Sequence, residues 1–383
     1  MKSQNLDALS RIVDLDKIEA TKNSINEANG LPNECYLNDE YFKIEREKIF
    51  FDNWTVVGVS SSVPETGDAK PFNLMGIPLL ILRDKNNKIR VFHNVCSHRG
   101  MILLNKECKL KNTIRCPYHS WSYNFNGELI ATPHVGGMNI HEADGFIKSK
   151  SNLKEVSSYV WMDLIFINVN KNKKDFEKCI DPLEKQWSKF ISKEDQKLIR
   201  HAEDFGYFNM EVKSNWKFAI ENYCESYHLP WVHPELNRVS NLKDHYHIED
   251  LTETFSGQGS NKYSQQFDGN KKLSTFPNWP SDLYQNSEYI SLFPNVMLGI
   301  HVDHFYAFWL EPLSNNNTRE HFEMYYVGDE SASSDEYKEI RKKNFAFWQE
   351  VMNEDVAAIE GMQRGRSSLA YNGGNFSPVM DTP

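Results

Sequence analysis

Two short stretches of sequence decide how this chain is understood: CSHRG (96–100) and CPYHSW (116–121). The first carries Cys-x-His and the second Cys-x-x-His, and seventeen residues (99–115) lie between the two patterns. A β-type run, IRVFHNV (89–95), precedes the first pair, so both pairs are predicted to lie in loops at strand ends. Two thiolates and two imidazoles could hold one tetrahedral zinc. They could equally hold a two-iron cluster with cysteines on one iron and histidines on the other.

The composition is that of a folded acidic protein. The 383 residues include 43 basic and 53 acidic side chains, so the formal charge is 43 − 53 = −10. The 9 Trp, 17 Tyr and 23 Phe supply more buriable surface than a disordered chain carries. Nucleic-acid and anionic-membrane partners need a positive stripe, and the sequence has no long Lys/Arg tract. We therefore expect neither partner.

The N-terminal sequence is charged and shows no apolar stretch of the kind found in signal peptides. No segment approaches the roughly 20 apolar residues of a membrane-spanning helix. We expect a cytoplasmic location, where thiols stay reduced, so the six cysteines are poor disulfide candidates.

The pattern of elements predicts an α+β fold in three parts. Residues 1–50 are predicted as an N-terminal helical segment and 51–170 as a small antiparallel β domain, whose last strand is 161–170. Residues 171–383 are predicted as a larger domain with helices flanking an antiparallel sheet.

Within the larger domain, the apolar periodicity predicts helices at 213–228 and 336–363 and strands at 290–313 and 318–327. Residues 255–285, rich in Gly, Ser, Asn and Pro, are predicted to form a long loop near a site.

A second group of metal-binding residue types lies on the first of these helices. Glu221, Glu225 and His228 recur at i, i+4 and i+7, which predicts a common helix face. Pro230 is predicted to interrupt the helix. That break would allow His233 to approach His228.

Asp355 falls inside the apolar stripe of the C-terminal helix, where a carboxylate is costly unless a cation compensates it. With His228 and His233 it would form the two-histidine, one-carboxylate triad of non-haem Fe(II) sites. The alternative is an ordinary capped or salt-bridged helix carboxylate, since Glu354 and Glu360 are neighbours.

These motifs resemble the Rieske-type oxygenase α subunits of the ring-hydroxylating family, from about residue 40 to the end. The cysteine-histidine pairs resemble the Rieske domain, and NWK (215–217), ENY (221–223) and the E-x-x-H-x4-H pattern from Glu225 to His233 resemble the catalytic domain. The resemblance implies a [2Fe–2S] cluster on Cys96, His98, Cys116 and His119. It implies a mononuclear Fe(II) on His228, His233 and Asp355.

The resemblance also implies that Glu225 passes electrons between the iron of one subunit and a Rieske histidine of its neighbour in a homotrimer. Many relatives have Asp there, and Glu is expected in the quaternary-amine group, such as carnitine monooxygenase. O₂ would be the co-substrate. A separate reductase would deliver electrons from NAD(P)H, because the sequence shows no G-x-G-x-x-G fingerprint following a strand.

The substrate predicted from this resemblance is a small quaternary ammonium compound such as carnitine, choline or glycine betaine. Tyr223, Trp231, His301 and Tyr306 are predicted pocket residues, because aromatic faces suit a methylated ammonium. One alternative keeps the iron chemistry but takes an aromatic acid, as a ring-hydroxylating dioxygenase or O-demethylase, and predicts a cationic anchor in the pocket. The other, a Rieske-type electron carrier or zinc-bound module, requires the three iron ligands to lie far apart.

Overall fold

The computed structural model describes residues 9–170, 175–249, 252, 254–265, 271–371 and 373–382. Their contacts divide them into two compact units. One is Phe50–Lys173, and the other combines the described residues of Met1–Ile49 with those of Lys174–Pro383. Both units are built around antiparallel sheets, which confirms the predicted α+β class. None of the helices in these ranges is both long and apolar enough to cross a bilayer.

The first unit contains a seven-stranded antiparallel sheet in the order β1-β10-β9-β4-β3-β2-β5 and a three-stranded sheet in the order β6-β7-β8. Its strands are β1 (Thr55–Val59), β2 (Asp68–Leu74), β3 (Ile77–Arg83), β4 (Ile89–His93), β5 (Cys108–Lys109), β6 (Ile114–Arg115), β7 (Ser122–Tyr123), β8 (Leu129–Ala131), β9 (Glu155–Trp161) and β10 (Leu164–Asn168).

The prediction of one strand over 161–170 is wrong. Trp161 ends β9, and the chain reverses into β10 through Met162 and Asp163, whose φ angles are 47° and 70°. Two consecutive residues with positive φ are typical of the tight hairpin turn that matches strand twist. The apolar run WMDLIFINVN therefore contains a turn that its hydrophobicity conceals.

The second unit contains an eight-stranded antiparallel sheet in the order β11-β18-β17-β16-β15-β14-β13, with β12 also paired to β18. Its strands are β11 (Ile199–His201), β12 (Tyr207–Val212), β13 (His245–Glu249), β14 (Phe255–Ser260), β15 (Ser287–Leu292), β16 (Val296–Ile300), β17 (His304–Ser314) and β18 (Asn317–Val327).

The predicted strand 318–327 is confirmed as β18, but 290–313 is three strands rather than one. The chain reverses at 293–295 and again at 301–303, where the His301 N–H donates to the His304 carbonyl over 3.0 Å. Strand β14 likewise lies inside the predicted loop 255–285, of which 266–270 are outside the described residues.

The α-helices of the described residues belong to the second unit, whereas the first unit has two short 3₁₀ helices, Ser60–Ser62 and Lys148–Ser151. The α-helices are α1 (Leu15–Ala20), α2 (Glu34–Leu37), α3 (Asp39–Glu45), α4 (Phe176–Trp187), α5 (Lys193–Gln196), α6 (Trp216–Cys224), α7 (Leu229–Val232), α8 (Pro234–Val239), α9 (Gly328–Ser333) and α10 (Lys338–Gly365). Helix α10 confirms the prediction for 336–363 to within two residues at each end.

A buried ion pair joins the N-terminal helices to α6. The Lys217 Nζ lies 2.6 Å from the Glu45 Oε1, and these side chains are only 10% and 3% exposed. The Trp216 Nε1–H donates to the other Glu45 oxygen over 3.2 Å. Because a buried charge is stable only with such partners, α3 is part of the support for α6.

Candidate metal centres and substrate cavity

The first cysteine-histidine pair lies in a closed loop that follows β4. The Cys96 N–H donates to the Met101 carbonyl over 2.8 Å, and the Gly100 N–H donates to the Cys96 carbonyl over 3.0 Å. Gly100 has a φ of 71°, a conformation that glycine adopts without steric cost. These two hydrogen bonds fix the backbone that carries Cys96 and His98.

The second pair lies in a loop with the same hydrogen bonds. The Cys116 N–H donates to the Trp121 carbonyl over 2.8 Å, and the Ser120 N–H donates to the Cys116 carbonyl over 3.1 Å. Ser120 occupies the place of Gly100 and also has a positive φ, 58°. A side chain in this conformation is strained, so the second loop pays a conformational cost that the first does not.

The four predicted cluster ligands lie together, with an inner and an outer half. Cys96 and Cys116 are each 2% exposed, whereas His98 is exposed and His119 half-buried. The two imidazole centroids lie 4.8 Å apart. Burial raises the pKa of Cys96, and the neighbouring Cys116 thiol acts in the same direction. Two buried thiols beneath two outer imidazoles are the donor set of a Rieske cluster.

The second site begins where α6 ends. The helix was predicted over 213–228 but spans Trp216–Cys224, and Glu225 is extended, with φ −110° and ψ 154°. The predicted common helix face of Glu221, Glu225 and His228 is therefore wrong, because the last two lie beyond the helix.

Side-chain hydrogen bonds to the backbone explain the early break. The Gln258 amide donates to the carbonyls of Tyr223 and Glu225 over 3.3 and 2.9 Å. The Glu225 carboxylate accepts from the N–H of Tyr227 and, over 3.2 Å, from that of His228. These side chains satisfy backbone groups that a continuing helix would have paired.

Pro230 is not the point of interruption. It lies in the first turn of α7 (Leu229–Val232), where its missing N–H has no helical partner to lose. His233 follows that short helix and is 2% exposed. The predicted approach of His233 to His228 is thus observed, but a break five residues earlier produces it.

His228, His233 and Asp355 converge, with one potential ligand atom of each within 4.8 Å of the others. The Asp355 Oδ1 lies 2.9 Å from His233 Nε2 and 3.7 Å from His228 Nε2, and it is buried with no hydrogen bond to the described residues. The His228 Nδ1 lies 2.5 Å from a Glu225 oxygen, and the His233 Nδ1 lies 2.7 Å from a Glu354 oxygen. Both Nε2 atoms thus remain for a metal.

This donor set fits ferrous iron. Two imidazoles and one carboxylate on one side of a metal leave further coordination positions open. The buried Asp355 oxygen without a donor is the atom that a cation would compensate.

A cavity of about 40 Å³ lies beside the three converging side chains. Four aromatic rings and four aliphatic side chains form much of its wall, together with three histidines, two amides and Asp355, and among its described lining residues there is no Lys or Arg. Besides the three converging residues, the aromatic and polar lining residues are Tyr223, Tyr289, Tyr306, Trp348, Asn222, His245 and Gln258.

Two of the four predicted pocket residues line this cavity. Tyr223 and Tyr306 do so, and their hydroxyl oxygens lie 3.1 Å apart. Trp231 is 72% exposed and lies outside the cavity wall. His301 is 1% exposed and also outside the wall, with its ring centroid 5.3 Å from that of Trp348.

Apart from the two proposed iron-ligand histidines, the described wall residues carry no positive charge at neutral pH. Burial raises the pKa of Tyr223, Tyr289 and Tyr306, so their phenols keep their protons. Burial lowers the pKa of His245, and that imidazole is neutral. A cation entering this cavity meets neutral rings.

Trp348, in the apolar stripe of the C-terminal helix, is a cavity residue that the sequence analysis did not single out. Its Nε1–H donates to His304 Nε2 over 3.2 Å, and His304 Nδ1 lies 2.6 Å from an Asp303 oxygen. This chain fixes the His304 tautomer and holds the indole against the cavity. The signal in the sequence was the seven-residue spacing from Trp348 to Asp355, which places both on one helix face.

Glu320 on β18 is a further buried carboxyl that the sequence did not single out. Burial, and then the nearby charge of Asp355, raise its pKa to about 8. It therefore holds a proton at neutral pH. Nothing in the strand sequence TREHFEM (318–324) distinguishes it from the other polar residues of that strand.

Comparisons with known proteins agree with this geometry. Residues 53–144 match the Rieske [2Fe-2S] domain family, and residues 172–383 match the ring hydroxylating alpha subunit (catalytic domain) family. The predicted oxygenase class and its two cofactors, a [2Fe–2S] cluster and a non-haem iron, are thereby confirmed.

Among curated relatives, the carnitine monooxygenase oxygenase subunit of Acinetobacter pittii is 26% identical over 350 residues, 89% of this chain and 86% of the relative. The chloroplastic choline monooxygenase of Arabidopsis thaliana is 27% identical over 369 residues, 93% and 80% of the two chains. A crystal structure of a quaternary ammonium Rieske monooxygenase with L-carnitine has the same fold, with a TM-score of 0.73 at 23% identity over 92% of both chains.

The catalytic-domain match covers more than half of the 383 residues, and the Rieske match covers both cysteine-histidine loops. The chain therefore belongs to the Rieske-type ring-hydroxylating oxygenase α-subunit family.

Proposed function

We propose that this protein is an oxygenase component that hydroxylates a methyl group or adjacent carbon of a small quaternary ammonium compound. The observation that carries the proposal is the cavity beside His228, His233 and Asp355, whose described wall includes four neutral aromatic rings and no Lys or Arg. The names of the carnitine and choline monooxygenases support the same substrate class.

The metal ligands in this proposal are those assigned from the sequence. Cys96, His98, Cys116 and His119 hold the cluster, and His228, His233 and Asp355 hold the iron. When bound, the cluster supplies single electrons and the ferrous iron supplies oxygen activation. Glu225 and Glu354 hold the two imidazoles by their Nδ1 atoms, so that Nε2 of each points to the iron position.

The rings of Tyr223, Tyr306 and Trp348 bind the trimethylammonium group. Each such contact is worth about 0.5–2 kcal/mol, with the larger values in dry sites. The same rings exclude water from the carbon to be hydroxylated. Besides the iron ligands, Asn222, His245 and Gln258 are the polar wall groups that can form a hydrogen bond with a substrate hydroxyl.

Electrons come from NAD(P)H through a separate reductase, and Glu225 connects the two metal sites. The Glu225 side chain is 21% exposed while it holds His228, so it is available to a second protein surface. In this proposal that surface is the Rieske histidine edge of the neighbouring subunit in a homotrimer. Convergence of the three iron ligands within 4.8 Å argues against the electron-carrier alternative, which required them to be far apart.

An aromatic acid is the weaker alternative, because its carboxylate needs a cationic partner that the described wall lacks. The discriminating experiment is turnover of the iron-loaded protein with a reductase and NADH, using choline, carnitine, glycine betaine and benzoate. The matched control is 3,3-dimethylbutan-1-ol, which has the shape of choline with carbon in place of the charged nitrogen.

Oxygen consumption coupled to product, measured by mass spectrometry, is expected with at least one ammonium compound and not with the neutral analogue. Coupled turnover on benzoate alone would overturn the substrate assignment. Equal turnover of choline and its neutral analogue would overturn the role of the aromatic wall in cation binding.

A further inference from the structure

The Tyr123 hydroxyl lies between two acceptors in the first cluster loop. Tyr123 is fully buried, and its hydroxyl oxygen lies 3.2 Å from the Cys96 Sγ and 2.9 Å from the Ser97 Oγ. The Ser97 N–H also donates to this oxygen over 3.2 Å. A phenol has one proton to donate, so the sulfur and the serine oxygen compete for it.

The direction of the serine hydrogen bond is fixed by its other partner. The Ser97 Oγ lies 2.6 Å from the Ser151 carbonyl oxygen, which can only accept. The single hydroxyl proton of Ser97 is therefore given to Ser151, and Ser97 Oγ can only accept from Tyr123. A backbone carbonyl 54 residues away thus makes Ser97 a competing acceptor.

We propose that Ser97 is a positioning residue that lowers the reduction potential of the cluster by drawing the Tyr123 proton away from the Cys96 sulfur. A hydrogen bond to a ligating sulfur stabilises the added electron and raises the potential, so a competitor for that proton lowers it. The inference rests on the proposed function in one respect, the assignment of Cys96 as a cluster ligand.

The test compares Ser97→Val with Ser97→Thr in the cluster-loaded full chain. Valine and threonine have the same shape and differ in the hydroxyl that accepts from Tyr123. The reduction potential, measured by redox titration of the Rieske EPR signal, is expected to rise in Ser97→Val and to stay near the wild-type value in Ser97→Thr. Iron and sulfide content establishes that each variant carries an intact cluster.

Measurements in the Tyr123→Phe variant separate competition for the Tyr123 proton from any direct effect of Ser97 on the reduction potential. Tyr123→Phe removes the shared proton, so adding Ser97→Val to it should change the potential no further. An unchanged or lower potential in Ser97→Val, or an undiminished rise in the Tyr123→Phe background, would overturn the proposal. A loaded wild type without a Rieske EPR signal would overturn the cluster assignment and this inference together, whereas a wrong substrate class would leave these potentials unaffected.

Discussion

The two metal sites of this chain are built in opposite ways. The four cluster ligands lie within residues 96–119, on two loops whose backbone hydrogen bonds are the same. The three iron ligands extend from His228 to Asp355 and depend on a helix end, a short helix and a distant helix meeting. Local hydrogen bonds hold the first site, whereas tertiary packing and two carboxylates hold the second.

Removing one iron ligand should separate the two sites most sharply. Asp355→Ala takes away the only carboxylate among the three converging residues, and product formation should fall by roughly 1,000-fold or more. The Rieske EPR signal should be unchanged, because its ligands lie in the other unit. Asn353→Ala, an exposed position two residues away, is the control. Retention of stoichiometric non-cluster iron in Asp355→Ala would contradict the assignment.

The connection between the sites can be broken while both stay loaded. Glu225→Gln keeps a hydrogen-bond acceptor for His228 Nδ1 but removes the charge, and we expect the oxidation of the reduced cluster in single turnover to slow by about 10–100-fold. Glu235→Gln, an exposed residue paired with Arg238, serves as the control. If iron loading is complete and the rate is that of the wild type, the bridging role is wrong.

Glu354, which holds His233, should behave differently from Glu225, which holds His228. Glu354→Gln weakens the support of His233, so the affinity for iron should fall by about tenfold, as measured by competition with a chelator. Excess Fe(II) should restore turnover in this variant but not in Glu225→Gln. If excess Fe(II) did not restore the turnover of Glu354→Gln, Glu354 would have a role beyond holding His233.

The smallest expected effect concerns the difference between the two cluster loops. Ser120→Gly relieves a left-handed side-chain conformation, which should stabilise the loop by up to about 1 kcal/mol. The midpoint of thermal loss of the cluster's visible circular dichroism should rise by a few degrees. Ser122→Gly, in strand β7, should give no gain. A lower midpoint for Ser120→Gly would show that the Arg115 hydrogen bond to Ser120 Oγ, at 2.9 Å, outweighs the strain.

The same contrast explains what the sequence could predict. The cluster ligands were predictable because each cysteine-histidine pair lies within one short loop, whose backbone hydrogen bonds place both side chains. Residue type and expected burial predict the iron ligands, but the predicted helix break at Pro230 is wrong. The helix ends at Cys224 and not at Pro230, because Gln258 on strand β14 pairs the carbonyls on either side of Cys224, those of Tyr223 and Glu225.

Cavity residues were the least predictable. Tyr223 and Tyr306 line the cavity, but Trp231 is exposed, whereas Trp348, which the sequence indicates by its seven-residue spacing from Asp355, is buried. That difference follows from which face of α10 meets the sheet and from the His304 hydrogen bond to the indole. Interactions between elements far apart in sequence are not visible in periodicity.

The ion pair between Glu45 and Lys217 has a consequence for how the chain can be divided. Residues 50–173 form the Rieske unit, which is a unit of its own. The N-terminal segment that completes the catalytic unit is therefore synthesised before the Rieske unit, and the rest of the catalytic unit is synthesised after it. A fragment starting at residue 171 would contain every proposed iron ligand and yet leave the Lys217 ammonium buried without its counter-ion. Truncation therefore has to preserve both segments, and the Rieske unit is better regarded as an insertion than as a leading domain.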